Sequence, residues 1–399
     1  VVAIGTLATF AVAALASLFM AWAIGAGSSG STPFAPAVGA NAISVMRAGF
    51  IVGLLGFAGA FLQGANVTNA VGTELIGGVT LTAVAAVVAL LTAAVLVALG
   101  VFTGYPIATA FTVTGAVVGV GLAMGGVPAW AKYQQILSLW ILTPFVGGGA
   151  SYATARTLRS NGTSERVTVP ILAGIVGLLV ANMEFASLGS NGSSASVARA
   201  AALELTGVVG IGETVWFVAA SLFVGLIAVA IVGRWMATDQ TRGQRRFLLV
   251  LGGLVAFSAG GSQVGLAIGP LVPLLDAVTV PLPALLVGGG VGLLAGSWTG
   301  APRMIKALAQ DYSSLGPRRS IAAMIPSFAI AQTAVALGVP VSFNEIIVSA
   351  IIGSGYAAGG SGVSGRKMLY TVLAWVGSLV LAFGLGYGVF TVVSTAFSV

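Results

Sequence analysis

Long apolar runs almost free of charge fill this chain, and they fix the solvent it must fold in. The first extends from Ala3 to Ile24. Others cover roughly Met46 to Leu62, Leu81 to Phe102, Ile136 to Thr157, Val169 to Leu188, Gly207 to Val232, Leu282 to Trp298, Ile321 to Leu337 and Met368 to Phe397. A further run starts at Phe247, is interrupted by Gly260, Gly261 and Gly265, and continues to Leu275. Two shorter segments, Pro106 to Met124 and Pro340 to Tyr356, lie between the long ones. A helix needs roughly 20 apolar residues to cross a bilayer. Charged residues make up only 6% of the 399, where a soluble domain carries about 25%. So few charges cannot cover a water-facing surface. The expectation is an all-α integral membrane protein, multi-pass in the cell membrane, with about ten to twelve membrane segments. The first run has no basic stretch ahead of it and reads as a retained span.

The basic residues concentrate in short loops: Arg156, Arg159 and Arg166; Arg234, Arg242, Arg245 and Arg246; and the stretch Arg303 to Arg319. Charge bias of this kind places loops on the cytoplasmic side. Hydropathy does not fix whether all three share one face. The net charge of +7 therefore reads as topology, and no nucleic-acid partner is expected. The absence of Cys and His excludes disulfides, thiolate chemistry and histidine acid–base work. No metal site and no bound cofactor are expected. With so few carboxylates no acid–base pair is visible, so the chain is not expected to be an enzyme. It has no G-x-x-x-x-G-K-[ST] loop, which leaves an ion gradient or the substrate's own gradient as the energy source.

The chain repeats itself. AIGAGSSGSTPFAPAVGA (23–40) matches AFSAGGSQVGLAIGPLV (256–272), and GYPIATAFTVTGAVVGVG (104–121) matches GVPVSFNEIIVSAIIGSG (338–355). Gly25 to Pro106 is 81 residues and Gly260 to Pro340 is 80. Paired Gly/Pro-interrupted segments at corresponding positions point to a transporter binding site. Irregular backbone survives in a bilayer only where protein buries it or water reaches it. Broken helices also present N-terminal N–H groups that suit an anion. The predicted architecture is an inverted-topology repeat with broken helices and two re-entrant hairpins facing each other. Its parts are a first repeat at 1–157 (signature 23–40, hairpin 104–124), linking helices at 158–246, and a second repeat at 247–399 (signature 256–272, hairpin 338–358).

These motifs resemble the inorganic phosphate transporter (PiT) family, which includes a sulfate-permease branch. That family carries a duplicated G-A-N-D-V-A-N-A-like signature, each copy followed by a G-x-P-V-S-T-T-H-like hairpin. AIGPLVPLL (267–275), TGAVVGVGLAMG (114–125) and GFAGAFLQGANVTNAV (56–71) are also close to family wording. The resemblance covers both ends, about half of the chain. The family's Asn-Asp pair falls on Gly27 and Ser28 in the first signature and on Ser262 and Gln263 in the second, so both aspartates are absent. The hairpin pattern becomes Ala108-Thr109-Ala110-Phe111 and Ser342-Phe343-Asn344-Glu345.

The resemblance implies a secondary transporter for inorganic phosphate, working by alternating access and coupled to sodium or protons. Sulfate, moved with protons, is the alternative substrate, and a passive anion channel is a further reading. A tetrahedral oxyanion needs donors. Ser28, Ser29, Ser31, Thr32, Thr109, Ser262, Gln263, Ser342 and Asn344 supply them, while Gly27 and Gly261 let backbone approach. Phosphate also brings a proton and wants an acceptor; sulfate wants only donors. Glu345 replaces the family histidine, and an ionisable group at membrane depth is a functional candidate by default. It suits proton coupling, with Glu184 and Glu213 as further candidates. Glycine-rich faces permit a homodimer without requiring one.

Overall fold

Helices form where the apolar runs lie. The computed structural model describes residues 4–160, 164–189, 194–209, 212–312, 314–359 and 363–397. The outermost residues of the two expected repeats, 1–3 and 398–399, lie outside these. The first half comprises α1 (Ile4–Ile24), a π-helical turn at Gly25–Ser29, α2 (Ala35–Gly39), α3 (Val45–Gln63), α4 (Ala65–Thr73), β1 (Ile76–Gly77), α5 (Ala83–Thr103), α6 (Thr109–Ala123), β2 (Val127–Pro128) and α7 (Trp130–Arg159). The middle comprises α8 (Glu165–Ala181), β3 (Glu184–Phe185), β4 (Ala195–Ser196), α9 (Val197–Val209) and α10 (Glu213–Thr238). The second half comprises α11 (Gln240–Ile268), a 3-10 turn at Gly269–Leu274, α12 (Leu275–Val278), α13 (Leu282–Thr299), α14 (Ala301–Gln310), α15 (Pro317–Ala336), α16 (Phe343–Tyr356) and α17 (Gly365–Phe397). The strands form only two-residue antiparallel pairs, β1 with β2 and β3 with β4.

Among the described residues, eight helical stretches are long and apolar enough to cross a membrane. Their outward faces carry large apolar side chains such as Phe145, Leu226 and Val392, as lipid contact requires. The multi-pass character is thus a property of the fold. The shorter pieces are α6 and α16, of 15 and 14 residues. At 1.5 Å per residue they rise only about 21–23 Å, short of the ~30 Å hydrocarbon core.

Each short helix closes a hairpin on the helix before it, α6 on α5 and α16 on α15. Both turns start on a glycine in the left-handed region, Gly104 at φ 76° and Gly338 at φ 59°. A side chain there would meet the Cβ penalty that glycine avoids. The bonds Tyr105 N to Gly100 O and Val339 N to Ala334 O then end the first arm of each hairpin. Pro106 and Pro340 follow and stop the helix from continuing.

Two helix crossings repeat. In one, α3 packs on α11: a Cβ on Gly59 would stand 1.8 Å from Phe257 O, and one on Gly260 would stand 1.9 Å from Gly56 O. In the other, α1 packs on α13: a Cβ on Gly25 would stand 2.1 Å from Leu293 O, and one on Gly296 would stand 2.0 Å from Trp22 O. Backbones in lipid associate by close packing, and only glycine allows this approach. This explains a departure from expectation. Gly260, Gly261 and Gly265 do not interrupt α11, which stays helical to Ile268. They face α3 and α4, and the helix breaks later, at Gly269–Leu274.

The hairpins are exchanged between halves. Helix α16 runs beside α7, with Trp140 Nε1 donating to Pro340 O and Ser151 Oγ to Ala350 O. Helix α6 runs beside α17, with Trp375 Nε1 donating to Pro106 O and Gly119 against Phe383. Both pairs are parallel. Because α7 starts beside β2 and ends at Arg159, α16 points toward the arginines. Helix α17 starts at the arginine-rich end, where Lys367 pairs with Asp311, so α6 points the other way.

The three basic loops meet on one face. Glu165 accepts from Gln240 and Gln244 and pairs with Arg318, joining 156–166, 234–246 and 303–319. The charge-bias rule leads to the expectation that the cytoplasm lies on this side.

Candidate functional site

All four repeated segments converge on one buried node. It is built on Gln263, which projects from unbroken α11 and is fully buried. Its Oε1 accepts from Thr109 Oγ1 at 2.7 Å and from Ser28 Oγ at 3.2 Å, and its Nε2 donates to Val341 O at 2.6 Å. One side chain thereby touches the first signature and both hairpins. Asn344 completes the set: its Nδ2 donates to Gly27 O at 3.0 Å and to Ile107 O at 2.7 Å. Thr109 Oγ1 also lies 3.4 Å from Ser28 Oγ.

Local backbone sets these positions. After Ile24 the first signature winds into the π-turn, because Gly25, Gly27 and Gly30 sit against Leu293, Val101 and Ser297 with no room for side chains. The turn lifts Gly27 O and Ser28 Oγ toward the hairpins. Ser31 and Thr32 both donate to Ser28 O, at 3.2 and 3.0 Å, so their hydroxyls fasten the turn. Ser29 is buried within it. Thr109 is the first residue of α6 and Asn344 the second of α16. The preceding residues, Ala108 and Ser342, make no side-chain cap bond, so both helices present open N–H ends.

Four buried polar atoms here have no bonding partner: Ser262 Oγ, Ser342 Oγ, Asn344 Oδ1 and Glu345 Oε2. Unpaired polar atoms are rare in folded interiors, because each costs about 1–3 kcal/mol. Ser342-Phe343-Asn344-Glu345 has the S-x-x-E spacing of a capping box, yet the box is not closed. The segments on either side of Gln263 and Asn344 therefore leave two hydroxyls, one amide oxygen and one carboxyl oxygen buried without a partner. Gly261 sits one residue before Ser262, where a Cβ would press on Gln63 at 2.8 Å. Among the described residues, no lysine or arginine bonds to the node residues.

Glu345 is 2% exposed and borders a cleft of about 730 Å³ between α7, α16 and α17. Phe111, the matching residue of the other hairpin, stacks on Trp140 at 3.9 Å on the same cleft. The other two carboxylates lie apart from the node. Glu184 on β3 accepts from Ser194 Oγ at 2.6 Å, and its backbone O accepts from Gln63. Glu213 opens α10 at the surface and sits 3.8 Å from Arg199. Among the described residues no group of His, Cys, Asp or Glu is arranged to hold a metal ion.

Sequence reasoning missed what holds the hairpin tips. Lys132 Nζ donates to Gly338 O at 3.3 Å and pairs with Glu74 at 2.8 Å. Lys367 lies 5.9 Å over the Tyr105 ring and pairs with Asp311. Each lysine precedes by eight residues the tryptophan that bonds the same tip. The offset between copies is nearly constant: 367 − 132, 375 − 140 and 263 − 28 are each 235, and 340 − 106 in the hairpins is 234. That offset, applied beyond the two motifs, is the signal that finds them.

Comparison with known proteins identifies the family and the fold. The model of the phosphate transporter family matches residues 24–386. A protein named as a phosphate permease in Thermococcus kodakarensis is 26% identical, with 91% of this chain and 94% of that protein covered. The chloroplastic inorganic phosphate transporter 2-1 of Arabidopsis thaliana is 24% identical, covering 91% of this chain and 68% of that protein. A solved structure described as the sodium-dependent phosphate transporter has the same fold, with a TM-score of 0.80 at 21% identity, over 97% of this chain and 99% of that one. The chain belongs to the phosphate transporter family, as a multi-pass membrane transporter and not an enzyme.

Proposed function

We propose that this protein is a secondary transporter that carries inorganic phosphate across the membrane by alternating access, coupled to protons through Glu345. The observation that carries the reading is the node at Gln263 and Asn344, where both signatures and both hairpins bond one another. A ligand entering there contacts all four repeated segments at once, so its binding reports to both halves.

Ser28 and Thr109 can turn their hydroxyls from Gln263 to an incoming oxyanion. Ser262 and Ser342 add donors that give up no existing bond, and the open ends of α6 and α16 add backbone N–H groups and positive dipole ends. Phosphate carries a proton near neutral pH and needs an acceptor. Asn344 Oδ1 is a buried acceptor without a partner, which favours phosphate over sulfate. Glu345, one residue on, offers a carboxyl for a coupling proton. The opposed directions of α6 and α16 and their sub-bilayer length support the reading of two re-entrant hairpins in an inverted repeat. One tip is held by Lys132 and Trp140, the other by Lys367 and Trp375. Alternate release of the two tips would open the node to one face at a time.

The test is uptake of radiolabelled phosphate and sulfate into proteoliposomes, under an inward sodium gradient or an inward proton gradient alone. Proton-driven phosphate uptake is expected, with Glu345→Gln losing the proton drive but keeping phosphate–phosphate exchange. Sodium-driven uptake, the property for which the solved relative is named, would move coupling away from Glu345. Sulfate uptake in place of phosphate would reverse the substrate assignment. Uptake of neither anion would defeat the proposal.

A further inference from the structure

The arginines on the cytoplasmic face do more than set topology. Four helix ends meet there: the C-terminus of α7 and the N-termini of α8, α11 and α15. They enclose two adjoining polar cavities of about 300 and 740 Å³, which share Arg159, Glu165, Gln240 and Arg318 in their walls. We propose that these cavities form a second anion site, separate from the transport node, that takes a phosphate group at the membrane surface.

The charge count carries the argument. Arg159, Arg166, Arg318 and Arg319 line the cavities with one acid, Glu165. Four positive charges and one negative leave three positive. The acid is already committed: it pairs with Arg318 and accepts from Gln240 at 2.9 Å and from Gln244. Among the described residues, Arg159 and Arg166 make no ion pair. Arg319 donates to Ser314, at its backbone O and its Oγ, and makes no ion pair among the described residues. Burial, and after it the Arg159 charge, weakens the Arg319 guanidinium's hold on its proton. Planar guanidiniums with free N–H groups converging on a polar cavity match phosphate oxygens, which arginine binds through paired hydrogen bonds.

The location narrows the ligand's source. The cavities lie at helix ends, where lipid headgroups sit. On α8, Val167, Ile171 and Ile175 follow Arg166 at four-residue spacing and are all exposed, so an apolar track leads from the cavities along the membrane face. Basic pockets between helices on the cytoplasmic side take anionic headgroups in this way. Free phosphate from the aqueous side would find the same guanidiniums. Either ligand would tie the linking helix α8 to α15, the first arm of the second hairpin.

The experiment measures the thermal unfolding midpoint of the purified full chain. In one arm inorganic phosphate is titrated in detergent against chloride at matched ionic strength. In the other the protein sits in nanodiscs of phosphatidylcholine, with or without phosphatidylglycerol. Three proteins are compared: wild type, Gln263→Ala to remove the transport node, and the double variant Arg159→Gln/Arg166→Gln. Arg159 and Arg166 are exposed and without ion pairs, so the double variant keeps the fold. A rise of about 3 °C is expected that survives in Gln263→Ala and disappears in the double variant. If phosphatidylglycerol produces it, the occupant is a lipid headgroup; if phosphate produces it, the occupant is the free anion. No rise beyond the chloride and phosphatidylcholine controls, or a rise the arginine substitutions leave intact, would overturn the proposal.

Discussion

The two halves share one architecture and spend their polar residues differently. The first signature breaks its helix into a π-turn and offers short hydroxyls, Ser28 among them. The second keeps α11 whole and sends one long amide, Gln263, across to meet them. The hairpins show the same contrast. The first carries Thr109 between two alanines; the second carries Ser342, Asn344 and Glu345. The first half thus carries hydroxyls on a π-turn, and the second carries amide and carboxyl groups on helices. The fold tolerates this because its crossings depend on glycine backbones and hairpin tips, which both halves retain.

The sharpest way to break the comparison is to remove the amide that joins the halves. Gln263→Ala deletes three bonds and leaves Val341 O buried without a donor. Each such bond is worth about 1 kcal/mol, and each 1.4 kcal/mol is tenfold in binding. Phosphate uptake is expected to fall at least tenfold, while Ser28→Ala, which removes the bond to Gln263 and the long one from Thr109 but leaves Gln263 its other two, falls by several-fold. Equal losses from both would show the division to be wrong.

Glycine replacement tests the shared scaffold. Gly260→Ala drives a methyl group into Gly56 O, and Gly296→Ala drives one into Trp22 O, at 1.9 and 2.0 Å before any relaxation. Overpacking of this kind costs about 1–3 kcal/mol. Both variants should unfold several degrees earlier by matched amounts. If only one does, the two crossings are not equivalent. The tips sharpen the comparison further. Trp140→Phe and Trp375→Phe each leave a proline carbonyl without its donor, for a loss of about 1–2 kcal/mol. Lys132→Met and Lys367→Met should bias the protein toward opposite faces, read as opposite changes in the labelling rate of a cysteine introduced near the node.

Much of this was legible in the sequence. Charge-poor runs dictated a membrane fold, and two motifs at matched spacing marked the segments that meet at Gln263. Gly104 and Gly338, each two residues before a proline, marked the hairpin turns. What escaped was tertiary. A glycine's letter does not say whether it bends a helix or faces another backbone, so Gly260, Gly261 and Gly265 read as a break when they are a packing seam. Glu345, Glu184 and Glu213 all look embedded in apolar sequence, yet only Glu345 is buried beside a node residue in sequence, on the cleft between α7, α16 and α17; Glu213 is exposed and Glu184 is held by Ser194. Lys132 and Lys367 went unread because their partners, the tips of the opposite hairpins, lie about 200 residues or more away in sequence.

The smallest effect at working pH belongs to Tyr312, and it probes only one half. This residue lies between α14 and α15, is 1% exposed, and shares a 2.8 Å hydrogen bond with Thr371 on α17. Burial pushes its phenol up to about 12; the Thr371 bond acts in the other direction, and Asp311 and Tyr105 add to the rise. An unfolded tyrosine titrates near 10. The folded state therefore holds the proton more tightly, and the stability this contributes is complete below pH 10 and is lost as pH rises toward about 12. Thermal midpoints should be flat with pH up to about 10, then fall in the wild type more steeply than in Tyr312→Phe. At neutral pH the substitution should cost only about 1 kcal/mol, for the lost bond to Thr371. The counterpart of Tyr312 at the 235-residue offset is Gly77, which has no side chain to titrate.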